Sequence, residues 1–215
     1  MKIKWLGHAS FLIISDMGTK IIIDPYTTGG NILYGEIKES ADIVTVSHGH
    51  GDHNNVAAVG GNPEVIKEAG VTEAKGIKIQ GIPTFHDQAG GSQRGANIIF
   101  CFEVDGIRAC HLADLGHPLG DKEIAEIGKV DILFTPVGGF YTIDASAATE
   151  ICHQLAPSVI IPMHYKNDRC TAPIVGVDDF LQGKTGVNRL DSSEAEFTVG
   201  ELPATAQITV LLPAL

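Results

Sequence analysis

Four apolar, strand-like segments of this chain each run directly into a histidine or an aspartate. Ile43–Val46 leads into Ser47-His48-Gly49-His50-Gly51-Asp52-His53, Ile77–Pro83 into Thr84-Phe85-His86, 107–113 into Asp114, and Val159–Ile161 into Pro162-Met163-His164. Groups placed just past strands are held by rigid elements. A chain written this way must fold so that those strand ends meet at one rim. The run 47–53 is the densest, with His48, His50, Asp52 and His53 in six consecutive positions. Packing gives no reason for so many imidazoles, whereas neutral imidazole and carboxylate are the ligands that suit zinc, iron and manganese. Alternation along an extended chain puts His48 and His50 on one side. The Gly51-Asp52-His53 turn offers a second pair from another direction, so one loop can feed two adjacent metals. An affinity tag would lie at a terminus, lack Asp52 and not follow a buried strand.

The rest of the chain is compatible with such a frame. Its 215 residues suit one domain, 1–215, with a substantial core. Hydrophobic residues make up 44% and charged residues 19%, which excludes disorder, and 25 glycines imply many tight turns. The net charge of −11 argues against a general nucleic-acid binder, whose footprint would be basic. Bound divalent metals would nevertheless add positive charge where a substrate sits. No apolar signal region opens the chain, and no apolar run approaches the roughly 18 residues of a membrane helix. Cys101, Cys110, Cys152 and Cys170 form no Cys-x-x-Cys pair, and nothing demands an oxidising compartment. The expectation is a cytoplasmic protein with a small-molecule substrate, acting neither on nucleic acid nor at a membrane.

Hydrophobic patterning predicts strands over 2–6, 10–14, 20–24, 43–47, 76–85, 97–104, 107–113, 131–135, 158–162, 195–199 and 206–212. Helices are predicted at 54–59, 63–69, 121–128, 144–155 and 178–183, with Asp144 as an N-cap. Helices this few and this amphipathic must cover the outer faces of sheets.

The pattern His-x-His-x-Asp-His at 48–53 is the signature of the metallo-β-lactamase superfamily, which this chain resembles. Within it the chain is most similar to the branch of small metal-dependent hydrolases resembling ascorbate-phosphate lactonase. The shared motifs are Gly7-His8-Ala9-Ser10, Ile23-Asp24-Pro25, the 47–53 run, Phe85-His86, His111-Leu112-Ala113-Asp114, Pro136-Val137-Gly138 and Pro162-Met163-His164-Tyr165. They keep their order and span residues 3 to about 166. The resemblance implies an α/β (α+β) four-layer αβ/βα sandwich, the metallo-β-lactamase fold. It also implies two divalent metal ions, zinc first, with iron or manganese as alternatives. His48, His50 and His86 would bind one ion, Asp52, His53 and His164 the other, and Asp114 would bridge them. Many relatives have Gly-Asp-Thr where this chain has Ala113-Asp114-Leu115, a small change that leaves Asp114 in place.

The function this implies is hydrolysis of a small ester, lactone or related bond by a hydroxide held at a dinuclear centre. Asp52 would double as ligand and proton acceptor. His8 or His117, at the mouth, would hydrogen-bond the developing anion or protonate the leaving group, with surface or capping roles as the competing reading. Asp24 would orient a metal-binding histidine or simply form a turn. His111 reads as a supporting or core residue, His153 as a helix-face residue, and Tyr141 and Tyr165 as cleft liners. Arg94 reads as a solvated charge in preference to an anion site. Two alternatives remain at this point, a phosphodiesterase or nuclease of the same fold and a metal-binding regulatory domain. An oxygen-reducing di-iron protein is disfavoured, because such relatives place glutamate where His50 stands.

Overall fold

A computed structural model describes residues 1–215. In chain order its strands begin with β1 (Lys2–Gly7), β2 (Ser10–Ile14), β3 (Lys20–Ile23), β4 (Ile43–Thr45) and β5 (Glu64–Ile66). Then come β6 (Gly70–Ala74), β7 (Ile77–Phe85), β8 (Ala96–Val104), β9 (Ile107–His111), β10 (Ile132–Pro136) and β11 (Val159–Met163). The last are β12 (Val187–Arg189), β13 (Glu194–Glu196) and β14 (Gln207–Val210), and the helices are α1 (Asp121–Ile127), α2 (Ala145–Leu155) and α3 (Val177–Leu181). One sheet has the order β13-β1-β2-β3-β4-β5, the other β12-β14-β11-β10-β9-β8-β7-β6.

Period-two alternation explains how the first sheet packs. Ile3, Trp5, Phe11, Ile13, Ile21, Ile23 and Ile43 face the space between the sheets, where they meet Ile79, Phe100, Phe102 and Phe134. Leu6, Leu12, Ile22 and Val44 face the other way, into a second cluster with Tyr26, Tyr34, Ile37, Cys170 and Ile174. In the second sheet β10 and β11 are buried at every residue, as central parallel strands must be. Asp144 caps α2 as its sequence predicts, accepting from Ala147 N at 2.9 Å, and Ala148, Ile151, Cys152 and Leu155 are buried. No helix is long and apolar enough to cross a membrane.

Two predicted helices differ. Residues 63–69 form no helix: Glu64–Ile66 is β5, paired in parallel with β4. A free edge on β4 overrides the helical preference of Glu, Lys and Ala, because pairing satisfies a row of backbone groups. Residues 54–59 supply only a 3₁₀ turn, Val56–Ala58. The helical layer therefore lies on the second sheet, where α1 packs on β7 and α2 on β10. Irregular segments around Tyr26–Ile37 and Cys170–Ile174 cover the outer face of the first sheet instead. The patterning also left β6 and β12 unassigned; each has only intermediate and exposed residues apart from Ala74.

Strand direction brings the site together. β7 is antiparallel to β8, and β8 to β9, while β9, β10 and β11 are mutually parallel. The C-terminal ends of β7, β9 and β11 thus share one rim. Ser47, just past β4, joins that rim through the backbone bond from Ile98 N to Ser47 O at 3.0 Å.

Candidate metal centre

Asp114 stands at the middle of the site. Its Oδ2 is 3.1 Å from His86 Nε2, 3.2 Å from His53 Nε2 and 3.4 Å from His164 Nε2. The His48 ring lies 4.3 Å from that of His53, 4.7 Å from His50 and 5.0 Å from His86, centroid to centroid. On the far side His8 packs 4.1 Å from His164. His8, His53, His86, His164 and Asp114 are buried, and His50 alone of the histidines in this cluster is exposed.

Supporting groups fix the rings. Asp24, fully buried at a φ of 44°, accepts from Ser47 N at 2.8 Å, Ser47 Oγ at 2.6 Å and His53 Nδ1 at 3.0 Å. His53 Nε2 therefore faces Asp114. Ser47 Oγ spends its one hydrogen on Asp24, so His48 Nδ1 donates to Ser47 Oγ at 2.9 Å and leaves Nε2 free to bind. Asn97 Oδ1 accepts from Asp114 N at 3.1 Å, while its Nδ2 donates to Thr84 Oγ1 and Leu112 O. Sequence reasoning missed Asn97; its signal is a carboxamide inside the apolar run of β8.

Burial and mutual charge set the protonation of the cluster. Burial, then the neighbouring His164, pushes His8 down to about 4. Burial, then His53, pushes His48 down to about 3. Burial would raise Asp114, but His164 and His53 hold it well below the usual carboxylate range. Burial would lower His53, yet Asp114 and Asp24 raise it well above the ordinary imidazole value.

The buried atoms His8 Nδ1, His48 Nε2, His53 Nε2, His86 Nδ1, His164 Nδ1 and Asp114 Oδ1 have no hydrogen-bond partner. An unpaired buried polar atom costs about 1–3 kcal/mol, and native proteins keep few. His48 Nε2, His53 Nε2 and Asp114 Oδ1, left unpaired together in one cluster, fit donors for divalent cations. Three groups of ligand atoms, each within 4.8 Å of one another, can be drawn: His48, His50 and His86; His8, His53 and His164; and His48, His53 and Asp114.

Residues 2–164 match the family described as "Beta-lactamase superfamily domain". The chain belongs to the metallo-β-lactamase superfamily. Among its relatives is a UPF0173 metal-dependent hydrolase from Archaeoglobus fulgidus, 31% identical, with 83% of this chain and 87% of that protein covered. Another, from Pelotomaculum thermopropionicum, is 30% identical over 91% of this chain and 96% of its own length. A solved structure described as a putative Zn-dependent hydrolase of the metallo-β-lactamase superfamily, from Thermotoga maritima, superposes with a TM-score of 0.82. It is 39% identical and covers 98% of this chain and 97% of its own.

Within this superfamily frame the structure assembles most of the sequence-predicted residues and moves others. His48, His50 and His86 come together as one group, and His53 and His164 as part of another. The third donor of that second group is His8, whereas Asp52 stands beside it, with Oδ2 3.3 Å from His8 Nε2 and 3.9 Å from His53 Nε2. His8, expected at the mouth, is thus buried inside the donor cluster. His117 is a correction: its Nδ1 donates to Pro118 O at 2.8 Å and its Nε2 accepts from Phe85 N at 3.2 Å. Both nitrogens are spent on backbone, and His117 is absent from the cleft wall. His111 is a core residue, donating through Nε2 to Ala9 O at 2.8 Å and accepting Ala113 N at Nδ1. His153 is exposed on α2. Tyr165 is buried against Trp5, not in the cleft.

The cluster opens into a cavity of about 710 Å³, lined by His8, His50, Asp52, His86, Asp114 and His164 together with Thr27, Thr28, Asn31, Arg94 and Tyr141. Arg94 therefore belongs to the cleft, which corrects its reading as a solvated charge.

Proposed function

We propose that this metal-dependent hydrolase holds two divalent cations around Asp114 and cleaves a small ester, lactone or related bond. The observation that carries the reading is the convergence of His53, His86 and His164 Nε2 on Asp114 Oδ2, beside a His48 Nε2 and an Asp114 Oδ1 that have no hydrogen-bond partner. His48, His50 and His86 would hold one cation. His53 and His164, with Asp52 and His8 beside them, would hold the other, and Asp114 would bridge the pair. Zinc suits these donors, as do iron and manganese. Cations bound there supply Lewis acidity toward the scissile group and bring the pKa of a bound water to about 7.

The chain's own residues orient and move protons. Asp24 and Ser47 hold the rings of His53 and His48 with Nε2 toward the centre. Asp52, half-buried at the mouth, takes the proton of the attacking water, and His8 Nε2 donates to its Oδ2 to hold the carboxylate in place. The cavity volume lies in the range of small-molecule sites. Arg94 is the one Lys or Arg on its wall, which supports a small substrate over a nucleic-acid strand. The four buried free thiols support a cytoplasmic setting.

Elemental analysis of freshly purified protein, with a panel of esters, lactones, amides and phosphodiesters run with each metal, tests the reading. Two ions per chain are expected, with Asp114→Ala losing turnover and binding fewer than two. Full activity in that variant refutes the two-cation centre. Absence of hydrolysis across the panel in fully metallated protein supports a regulatory metal-binding domain instead.

A further inference from the structure

The cleft contains a cation that the metal centre does not use. Arg108 pairs with Glu103 and Arg189 with Asp178. Arg94 has no carboxylate in ion-pair reach; its guanidinium lies over Tyr141, 5.7 Å from the ring centroid, and both residues line the cavity that holds Asp114 and His86. The placement is built. Asp87 directly follows His86 and is itself buried, and its carboxylate accepts four backbone N–H groups: Ala89 and Arg94 at 2.7 Å, Gly91 and Gln93 at 3.0 Å. One carboxylate thereby ties the arginine backbone to the strand end that carries His86.

We propose that Arg94 binds a carboxylate of the substrate, so that the molecule cleaved is a small ester or lactone bearing a free carboxylate. The proposal rests on the hydrolase reading above. A guanidinium presents a planar fork of donors that matches a carboxylate with two parallel hydrogen bonds. Its one fork matches the two oxygens of a carboxylate, and no second Lys or Arg stands beside it on the wall to share a phosphate dianion. Thr27, Thr28 and Asn31 on the same wall offer neutral hydrogen bonds to the remainder of the molecule. Anchoring the acid end orients the scissile bond toward the metal cluster, the positioning that turns binding energy into rate.

Two measurements on zinc-loaded protein test this separately from turnover. In calorimetric titrations, glutarate carries a second carboxylate that butyrate lacks. Wild type should bind glutarate more tightly, and Arg94→Gln should lose about tenfold or more of glutarate affinity, the worth of a charge-assisted hydrogen bond, with butyrate binding and metal content unchanged. Arg94→Lys should recover part of the loss. In hydrolysis assays the 4-nitrophenyl monoester of glutarate should outpace 4-nitrophenyl pentanoate, and Arg94→Gln should erase the difference through KM. Equal glutarate affinity in wild type and Arg94→Gln overturns the proposal, as does tighter Arg94-dependent binding of propyl phosphate than of glutarate. Hydrolysis of both esters without dependence on Arg94 overturns it while leaving the hydrolase reading intact. Arg94-dependent glutarate binding with neither ester cleaved supports the carboxylate subsite and counts against the hydrolase reading on which the substrate class rests.

Discussion

Gly116 lies where the turn carrying Asp114 presses on the backbone carrying His86. A Cβ at this position would stand 2.2 Å from the His86 carbonyl carbon and 2.3 Å from the Asp87 nitrogen. Both are main-chain atoms at a strand end, so no rotamer change relieves the clash. Carbon contacts are comfortable near 3.5 Å, and Gly116→Ala must therefore push the two segments apart by about 1 Å. That displacement also breaks the bond from Gly116 N to Phe85 O, now 3.0 Å. Overpacking costs about 1–3 kcal/mol and a backbone hydrogen bond about 1 kcal/mol more. For a chain of this size the melting temperature should fall by roughly 5–15 °C. The metal centre should suffer more than the fold, because Asp114 and His86 are now 3.1 Å apart and ligand distances tolerate only about 0.2 Å. Calorimetric melts of the chelated protein, with elemental analysis after equilibration in limiting zinc, separate the two effects. Gly49→Ala is the control, since a Cβ there meets nothing within 4 Å although it lies between His48 and His50. Wild-type melting and wild-type metal content in Gly116→Ala would refute the reasoning, for the ligands would then not be held at fixed spacing by their strand ends.

Other outcomes follow from the same contacts. Asp24→Asn turns an amide donor toward a group that Asp24 now accepts from; metal affinity should drop about 10- to 100-fold in a chelator competition, and unchanged affinity refutes the positioning role. His117→Ala should cost about 1 kcal/mol of stability by urea titration and leave turnover intact, because its ring serves the backbone of Phe85 and Pro118. A tenfold fall in kcat would return His117 to the substrate. Burial pushes the Cys152 thiol up to about 12 and raises Cys170 and Cys110 as well. The thiolate is the reactive form, so these three stay protonated below their raised pKa values, while Cys101, held lower by its hydrogen bond with Cys110, is protected by complete burial. Iodoacetamide at pH 8 should add no mass to the folded protein and label all four cysteines after unfolding, and rapid labelling in the folded state would contradict the burial.

The elements that hydrophobic patterning located are those whose burial is uniform or alternates strictly. β10 and β11 are buried throughout, and α2 has its cap and its apolar stripe. Where patterning erred, a pairing partner decided the outcome. Glu64-Val65-Ile66 carries two exposed residues and one half-buried residue, so no periodicity marks it as a strand. Only the open edge of β4, brought there by the whole sheet, makes extension the better state. Helix propensity is worth tenths of a kcal/mol per residue, and a row of satisfied backbone groups outweighs it.

The metal cluster was legible for a related reason and to a similar limit. His48, His50, His53, His86, Asp114 and His164 each follow a strand, and strand direction alone carries them to one rim. His117 lies in a turn six residues past β9, and His8, although it directly follows β1, stands alone in its turn with no second donor beside it. The difference is tertiary. The turn between β1 and β2 meets the end of β11 through the bond from His164 N to His8 O at 3.2 Å, which places His8 in the cluster. The turn after β9 instead folds back on β7, and His117 clamps it there. Each candidate ligand group consequently draws on both sheets: His48 and His50 from the first with His86 from the second, and His8 and His53 from the first with His164 from the second. Neither sheet can assemble a site alone. The apolar faces that dock the sheets therefore also set the spacing of the ligands, and bound cations would in turn stabilise that docking, since they bind only the folded arrangement. Core and candidate metal centre are two sides of one interface, which explains why a methyl group at Gly116 should be felt in metal affinity before it is felt in the fold.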